Sequence, residues 1–170
     1  MVWFEELQNR KKISKIFYRY EKTFPEEERR SKDQFLDLAE NPDAFVYSIN
    51  HEDENIGYCV IWELQEFYFL EHFEVFEEFR NQKFGEKILE SLQEKFEKMI
   101  LETEPDSLSE IAARRLQFYQ RNGFEIVEKN YLQPSYGEGK SSLHLFLMAN
   151  FEPENVETLI QEIHKIVYEI

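Results

Sequence analysis

The sequence predicts an α/β fold in which helices flank a mixed, mostly antiparallel central sheet. Three apolar runs between residues 44 and 75 are joined by short polar turns, which is typical of an antiparallel meander. A fourth run, Met99 to Thr103, follows the third only after a helical segment, and such a crossover places two strands in parallel. Other segments carry apolar residues three and four positions apart, as amphipathic helices do.

The first forty residues are predicted to form one strand and two helices. The strand is expected from Val2 to Leu7, and Asn9 is placed to cap the first helix. That helix should end before Pro25, because the residue before a proline avoids the helical region. Ser31 begins an S-x-x-Q capping pattern that predicts the second helix. The apolar face of the first helix is expected to consist of Ile13, Ile16, Phe17 and Tyr20.

The middle of the chain is predicted to supply the meander and the crossover. The three strands are expected at Ala44 to Ile49, Ile56 to Glu63 and Phe67 to Val75. Gly85 opens the crossover helix after a short charged loop. The apolar residues at helical spacing after that glycine are Ile88, Leu89, Leu92 and Phe96.

The next segment is predicted to be a capped helix followed by a strand. Ser107 and Glu110 form an S-x-x-E capping pattern, and Gly123 is placed as a left-handed C-cap. The strand is expected to start at Phe124 and to run to Val127. The apolar face of this helix is expected to contain Ile111, Ala112, Leu116 and Tyr119.

The end of the chain is predicted to contain a long loop, a last strand and an added helix. Asn130 to Lys140 reads as the loop, and Leu143 to Met148 as the strand. Pro153 suits the first turn of a terminal helix. We therefore expect a single domain over residues 1–170, with residues 151–170 as an added C-terminal helix that covers the sheet or forms a homodimer contact.

Composition excludes several classes of protein. The chain has 170 residues, of which 42% are hydrophobic, so it has enough apolar material for one globular core. Its net charge of −15 repels nucleic acid and anionic membranes, and it is compatible with cationic substrates. Without a membrane-length apolar run or a signal-peptide pattern, we expect a cytoplasmic protein. The lone Cys59, in an apolar run, is expected to be a core residue.

A strand that enters a helix through a tight loop leaves backbone N–H groups free at the helix N-terminus, where they can bind an anion such as phosphate. The loop here is Arg80-Asn81-Gln82-Lys83-Phe84-Gly85, and a later segment, residues 118–124, reads FYQRNGF. Together the two motifs resemble the GCN5-related N-acetyltransferase family, in which the loop carries [QR]-x-x-G-x-[GA] and a helix ends in F-Y-x-x-x-G-F. Lys83 replaces the first loop glycine, which matters if that position needs a positive φ.

The resemblance implies the acyl-CoA N-acyltransferase fold and acetyl-CoA as co-substrate. The implied diphosphate site is the backbone of the loop, and Arg80 is also a candidate for direct contact with a phosphate. The end of the preceding strand is implied to lie against the pantetheine arm. The residues that this reading assigns to the co-substrate are Phe73, Val75, Arg80, Asn81, Gln82, Lys83, Phe84, Gly85 and Glu86.

The resemblance also implies catalytic roles. Tyr119 matches the tyrosine that in many family members protonates the leaving thiolate. The base that takes the amine proton is open between Glu71, His72, Glu102 and water. Regular alternation places Glu71 and His72 on opposite faces of their strand unless a bulge intervenes. If Glu71 is buried, its pKa is expected to be raised, as a base near neutral pH requires.

The acceptor is expected to be a small amine or a peptide or protein amine. The resemblance places it near residues 26–28 and residues 131–136. His51, His144 and His164 are scattered without metal-ligand spacing, so no metal is expected. An alternative function on the same fold is a non-catalytic acyl-CoA sensor or a protein-interaction module.

Overall fold

A computed structural model describes residues 1–170. Its strands are β1 Val2–Glu6, β2 Ala44–His51, β3 Glu54–Glu63, β4 Tyr68–Val75, β5 Met99–Thr103, β6 Glu125–Gln133 and β7 Leu143–Ala149. Its α-helices are α1 Arg10–Thr23, α2 Lys32–Asp37, α3 Phe84–Lys95, α4 Glu110–Arg121 and α5 Val156–Val167. The strands form one sheet in the order β1-β2-β3-β4-β5-β7-β6, in which only β4 and β5 pair in parallel. The predicted fold class is confirmed.

The sheet has a hydrophobic core on each face. Along β3, Tyr58, Val60 and Trp62 face the layer built by α1, α2 and α5. Cys59 and Ile61 face the opposite layer, built by α3 and α4. Both sets are buried, so β3 reads as a continuous apolar run rather than an alternating one. Burial raises the pKa of the Cys59 thiol, which fits the expected role as a core residue.

Helix caps explain where the first helices begin, and one predicted cap is wrong. Asn9 caps α1 by accepting a hydrogen bond from the Lys12 N–H at 2.9 Å, and Ser31 forms the expected capping box of α2. Ser107, however, does not cap α4. It lies in a 3₁₀ turn after Pro105, and the chain restarts at Ser109, whose hydroxyl accepts from the Ala112 N–H at 3.0 Å.

Two predictions near the end of the chain are also corrected. The expected loop from Asn130 is strand as far as Gln133, because β6 pairs with β7 over Tyr131–Leu145 and Gln133–Leu143. Pro153 lies before α5 rather than in its first turn. The cap is Asn155, whose side chain accepts from the Thr158 N–H at 3.0 Å.

The terminal helix covers the sheet. Leu159, Ile163 and Val167 of α5 are buried in the same core as Tyr131 and Leu147 of the β6–β7 pair. The apolar face of this helix is therefore used within the chain and is not free for a contact with a second copy. None of the five helices combines the length and the apolar character that a membrane crossing requires.

Candidate active site

A cleft opens where β4 and β5 separate. The two strands pair only through Tyr68–Met99, Phe69–Ile100 and Leu70–Leu101. Beyond that point they diverge, and a cleft of about 760 Å³ lies between them. Its walls include α4 on one face of the sheet and the C-terminal end of α1 on the other, so it opens toward both faces.

The edge of β4 presents unpaired N–H groups to this cleft. The Phe76 N–H donates to the Ile56 carbonyl of β3 at 2.9 Å. Because N–H groups alternate along a strand, the Glu74 N–H also points toward β3, and those of Phe73 and Val75 point to the opposite edge, into the gap. The side chains of these last two residues line the cleft as well.

The loop between β4 and α3 leaves six consecutive N–H groups free. None of the N–H groups from Asn81 to Glu86 donates a hydrogen bond within the protein. Asn81 and Lys83 are both left-handed, each with φ 63°, which turns the backbone of the loop before α3 begins at Phe84. Free N–H groups at a helix N-terminus form an anion site. The loop backbone is therefore suited to hold a diphosphate.

Lys83 occupies the position that needs a positive φ, so the departure from the family pattern has a conformational cost. A left-handed residue with a side chain costs roughly 1–2 kcal/mol, while a glycine there has an extra unfolded-chain entropy worth roughly 0.4–1 kcal/mol. Lys83→Gly is therefore expected to raise the free energy of unfolding by about 0–1.6 kcal/mol in urea titrations. Lys83→Ala, which keeps the strained Cβ, is the control. A clearly destabilised Lys83→Gly would contradict this account.

Arg80 joins the loop to the strand. Its Nε donates to the Val75 carbonyl at 2.9 Å, and one terminal nitrogen lies 3.6 Å from a carboxylate oxygen of Glu74. The side chain is 49% exposed, so its remaining N–H groups stay open to a ligand at the mouth of the cleft.

Glu71 is buried at the centre of a polar cluster. Its carboxylate accepts hydrogen bonds from Arg30 Nε at 3.0 Å, Trp62 Nε1 at 2.8 Å and the Tyr136 hydroxyl at 2.7 Å. Burial by itself would raise its pKa, but the charge of Arg30, the adjacent His72 and the hydrogen bond from Trp62 outweigh burial and lower the pKa. The expectation of a raised pKa is wrong. Glu71 is ionised and fully engaged at neutral pH, which makes it a poor base.

A bulge brings His72 beside Glu71. In the pairing with β3, Val60 is opposite His72 and Ile61 is opposite Leu70, so Glu71 is the extra residue. His72 Nε2 lies 3.4 Å from the Glu71 carboxylate and 3.1 Å from the Tyr20 hydroxyl. The two side chains therefore meet, where regular alternation would have separated them.

Tyr119 is held on α4 with its hydroxyl free. Its ring packs edge-on against Phe124, and Gly123, with φ +91°, lets the chain turn back after the helix. The residue is buried and lines the cleft, and its hydroxyl makes no hydrogen bond within the protein. Burial raises its pKa, so the hydroxyl keeps its proton at neutral pH.

Glu102 on β5 is a second carboxylate on the cleft wall. It accepts from the Tyr168 hydroxyl at 2.7 Å and from Gln133 Nε2 at 2.9 Å. Burial raises its pKa to about 7. Arg30 and Tyr168 were not predicted as site residues, because they meet their carboxylates across 41 and 66 residues of sequence and no local pattern marks the pairing. Gln133 lies in the segment 131–136 that was expected near the acceptor, but its hydrogen bond to Glu102 was not predicted.

A family model and several solved structures resemble this chain. The family model of the GNAT acetyltransferase domain matches residues 42–126. An acetyltransferase of the GNAT family from Bacteroides thetaiotaomicron is 31% identical, with a TM-score of 0.90 over 99% of both chains. The Escherichia coli ribosomal-protein-S18-alanine N-acetyltransferase has a TM-score of 0.64 at 17% identity, over 91% of this chain and 98% of that one.

An Elizabethkingia anophelis GNAT acetyltransferase with acetyl-CoA bound has a TM-score of 0.55 at 19% identity, over 87% of this chain and 96% of that one. At those identities the second and third structures show a shared fold only. No curated protein matches the sequence significantly. The family match and the full-length relative show that this chain is a member of the GNAT acetyltransferase family.

Proposed function

We propose that the protein is an N-acetyltransferase that moves the acetyl group of acetyl-CoA to a primary amine by direct attack. The observation that carries the proposal is the run of six free N–H groups from Asn81 to Glu86 at the mouth of a cleft. These groups would hold the diphosphate. The N–H groups of Phe73 and Val75 would face the pantetheine arm in the gap beside β4.

The chemistry assigns two residues to proton transfer. The amine nitrogen forms a bond to the acetyl carbon, and the bond from that carbon to sulfur breaks. Glu102 receives the proton that the amine loses, and Tyr119 gives a proton to the leaving thiolate. An N–H group on the edge of β4 stabilises the charge that develops on the acetyl oxygen. Glu71 acts as a positioning residue, because it holds Arg30, Trp62 and Tyr136 around the bulge.

The assignment of Glu102 predicts a pH dependence. Its pKa is raised to about 7, and a base must be ionised, so kcat is expected to rise with pH and to level off above about pH 7. Glu102→Gln removes the base and is expected to lower the plateau by about 10²-fold or more. Steady-state rates from pH 5.5 to 9 would check this. A Glu102→Gln variant with the same profile and plateau as the parent would exclude the role.

Two measurements test the function as a whole. Calorimetric titration of acetyl-CoA is expected to give heat of binding, since the loop offers its N–H groups without first breaking other bonds. No heat at millimolar ligand would contradict the donor site. Thiol release from acetyl-CoA over a panel of amines then tests catalysis. Binding without thiol release for any amine would favour the non-catalytic sensor.

A further inference from the structure

Glu102 is a carboxylate on the cleft wall whose hydrogen-bond partners are all neutral. One of its oxygens accepts from Gln133 Nε2 at 2.9 Å. The Tyr168 hydroxyl reaches both oxygens, at 2.7 Å and 3.0 Å. Glu102 forms no ion pair. Its ionised form therefore depends on one amide and one hydroxyl, and the hydroxyl makes the closer contact.

The other titratable groups around Glu102 do not share this role. The Tyr131 hydroxyl lies beside the carboxylate but makes no hydrogen bond. The charge of Glu71, on β4, opposes the ionisation of Glu102. The Tyr136 hydroxyl donates to Glu71 at 2.7 Å and not to Glu102. Tyr168 is therefore the one tyrosine that donates to Glu102.

The end of α5 holds Tyr168 in place. The carbonyl of the preceding residue, Val167, accepts from Arg30 at 3.1 Å. Beyond Tyr168, the Ile170 N–H donates to the His164 carbonyl at 3.1 Å, which closes the end of the helix. The backbone is thus bound on both sides of Tyr168, and the buried side chain has one defined direction.

Tyr168 belongs to a part of the chain that the family model does not match. The match covers residues 42–126, so it includes Glu102 but not α5. Tyr168 does not line the cleft, whereas Glu102 does. Any effect of Tyr168 on the reaction must therefore pass through Glu102.

We infer that Tyr168 is a positioning residue that holds Glu102 at the cleft and supports its ionised form, so that the C-terminal helix completes the active site. The hydroxyl donates to the carboxylate, and a donor favours the charged form of an acid. Burial and the charge of Glu71 act in the opposite direction. The inference rests on the proposed function, because it concerns the base of the same reaction.

Tyr168→Phe keeps the ring and removes the hydroxyl, so it tests the inference directly. A hydrogen bond to the ionised form is lost, and the midpoint of the rise of kcat with pH is expected to move up by about one pH unit. The rate should fall about fivefold at pH 7 and recover most of that loss by pH 9, where Glu102 is ionised again. The measurement is thiol release from acetyl-CoA with the best amine of the panel, from pH 5.5 to 9.5. A midpoint equal to that of the parent would overturn the inference.

Tyr136→Phe is the matched control for the pH profile. The Tyr136 ring packs against the Tyr168 ring with 5.4 Å between their centroids, and both residues are buried. This variant also loses one buried hydroxyl, but that hydroxyl belongs to Glu71, so the midpoint is expected to stay at the parent value. A purely structural role would lower the free energy of unfolding of both variants without moving the midpoint of either. Equal shifts in the two variants would overturn the inference, because they would show a general effect of packing.

A direct titration separates this inference from the proposed function. In protein labelled with ¹³C at the glutamate carboxyls, the NMR signal of Glu102 is the one that is missing from Glu102→Gln. Its pKa is expected to be higher in Tyr168→Phe than in the parent, and an unchanged pKa would overturn the inference even if no amine releases thiol. A raised pKa with an unmoved rate profile would support the contact and remove Glu102 as the base. A rate profile that depends on Glu102 but not on Tyr168 would overturn the inference and leave the proposed function in place.

Discussion

Tyr119→Phe is expected to lower kcat by about 10²–10⁴-fold, the usual contribution of a positioned acid. The reason is that Tyr119 is buried on the cleft wall with a raised pKa, so it holds a proton at neutral pH and has no partner in the protein that competes for it. The measurement is the steady-state rate with saturating acetyl-CoA, together with its pH profile. At alkaline pH the rate of the parent should fall as the hydroxyl ionises. The pH profile of the variant should not show that decrease.

Stability separates this effect from a structural one. The Tyr119 hydroxyl makes no hydrogen bond within the protein, so its removal leaves no buried group unpaired. The free energy of unfolding of Tyr119→Phe should therefore stay within about 0.5 kcal/mol of the parent. Tyr18→Phe, an exposed tyrosine of α1 outside the cleft, is the matched control and should keep the parent rate. Full turnover by Tyr119→Phe at every pH would remove the acid assignment.

Arg30→Met is expected to lower the free energy of unfolding by about 3–5 kcal/mol, because it leaves the charge of Glu71 buried without its cation. The side chains of Arg30 and Glu71 are 10% and 0% exposed, so water cannot replace the lost partner. Arg30 also donates to the Val167 carbonyl at 3.1 Å, which ties α5 to the cluster. Urea denaturation gives the loss. The double variant Arg30→Met/Glu71→Gln should recover at least about 1 kcal/mol, since it removes the unpaired charge.

The same pair predicts how stability depends on pH. The pKa of Glu71 is lowered in the folded protein, so its contribution is fully present above the unfolded value of about 4.3. It is lost as pH falls from there through the folded pKa. The free energy of unfolding of Glu71→Gln should therefore fall less steeply than that of the parent as pH is lowered from 6 to 3 in urea titrations. Parallel curves for the two proteins would show that the carboxylate is not held in this way.

The features that the sequence predicted are local. The loop before Gly85, the cap at Asn9 and the helix end at Gly123 each depend on a few neighbouring residues, and those residues carry recognisable patterns. The fold class followed from the same kind of signal, because strand and helix periodicities are properties of short segments.

The features that the sequence did not predict depend on distant partners. The direction of the Glu71 pKa shift is set by Arg30 and Trp62, which are distant in sequence, and by the adjacent His72 that the bulge brings beside it. The sequence shows a glutamate in an apolar strand and therefore suggests burial. Burial alone predicts a raised pKa, which is the wrong direction for Glu71. The Ser107 cap failed for another reason: Ser107 fits the S-x-x-E pattern and Ser109 does not, but the 3₁₀ turn after Pro105 delays the start of the helix, so Ser109 caps it.

The separation of β4 from β5 has a mechanical consequence. Only three residue pairs join the β1-β2-β3-β4 half of the sheet to the β5-β7-β6 half. The amide-bearing arm of coenzyme A, seated in the gap, would take the place of a missing strand and would bridge the halves. The co-substrate would then complete the architecture that it uses, whereas without it the two halves are held together by the shared core and by bonds such as that from Tyr136 to Glu71.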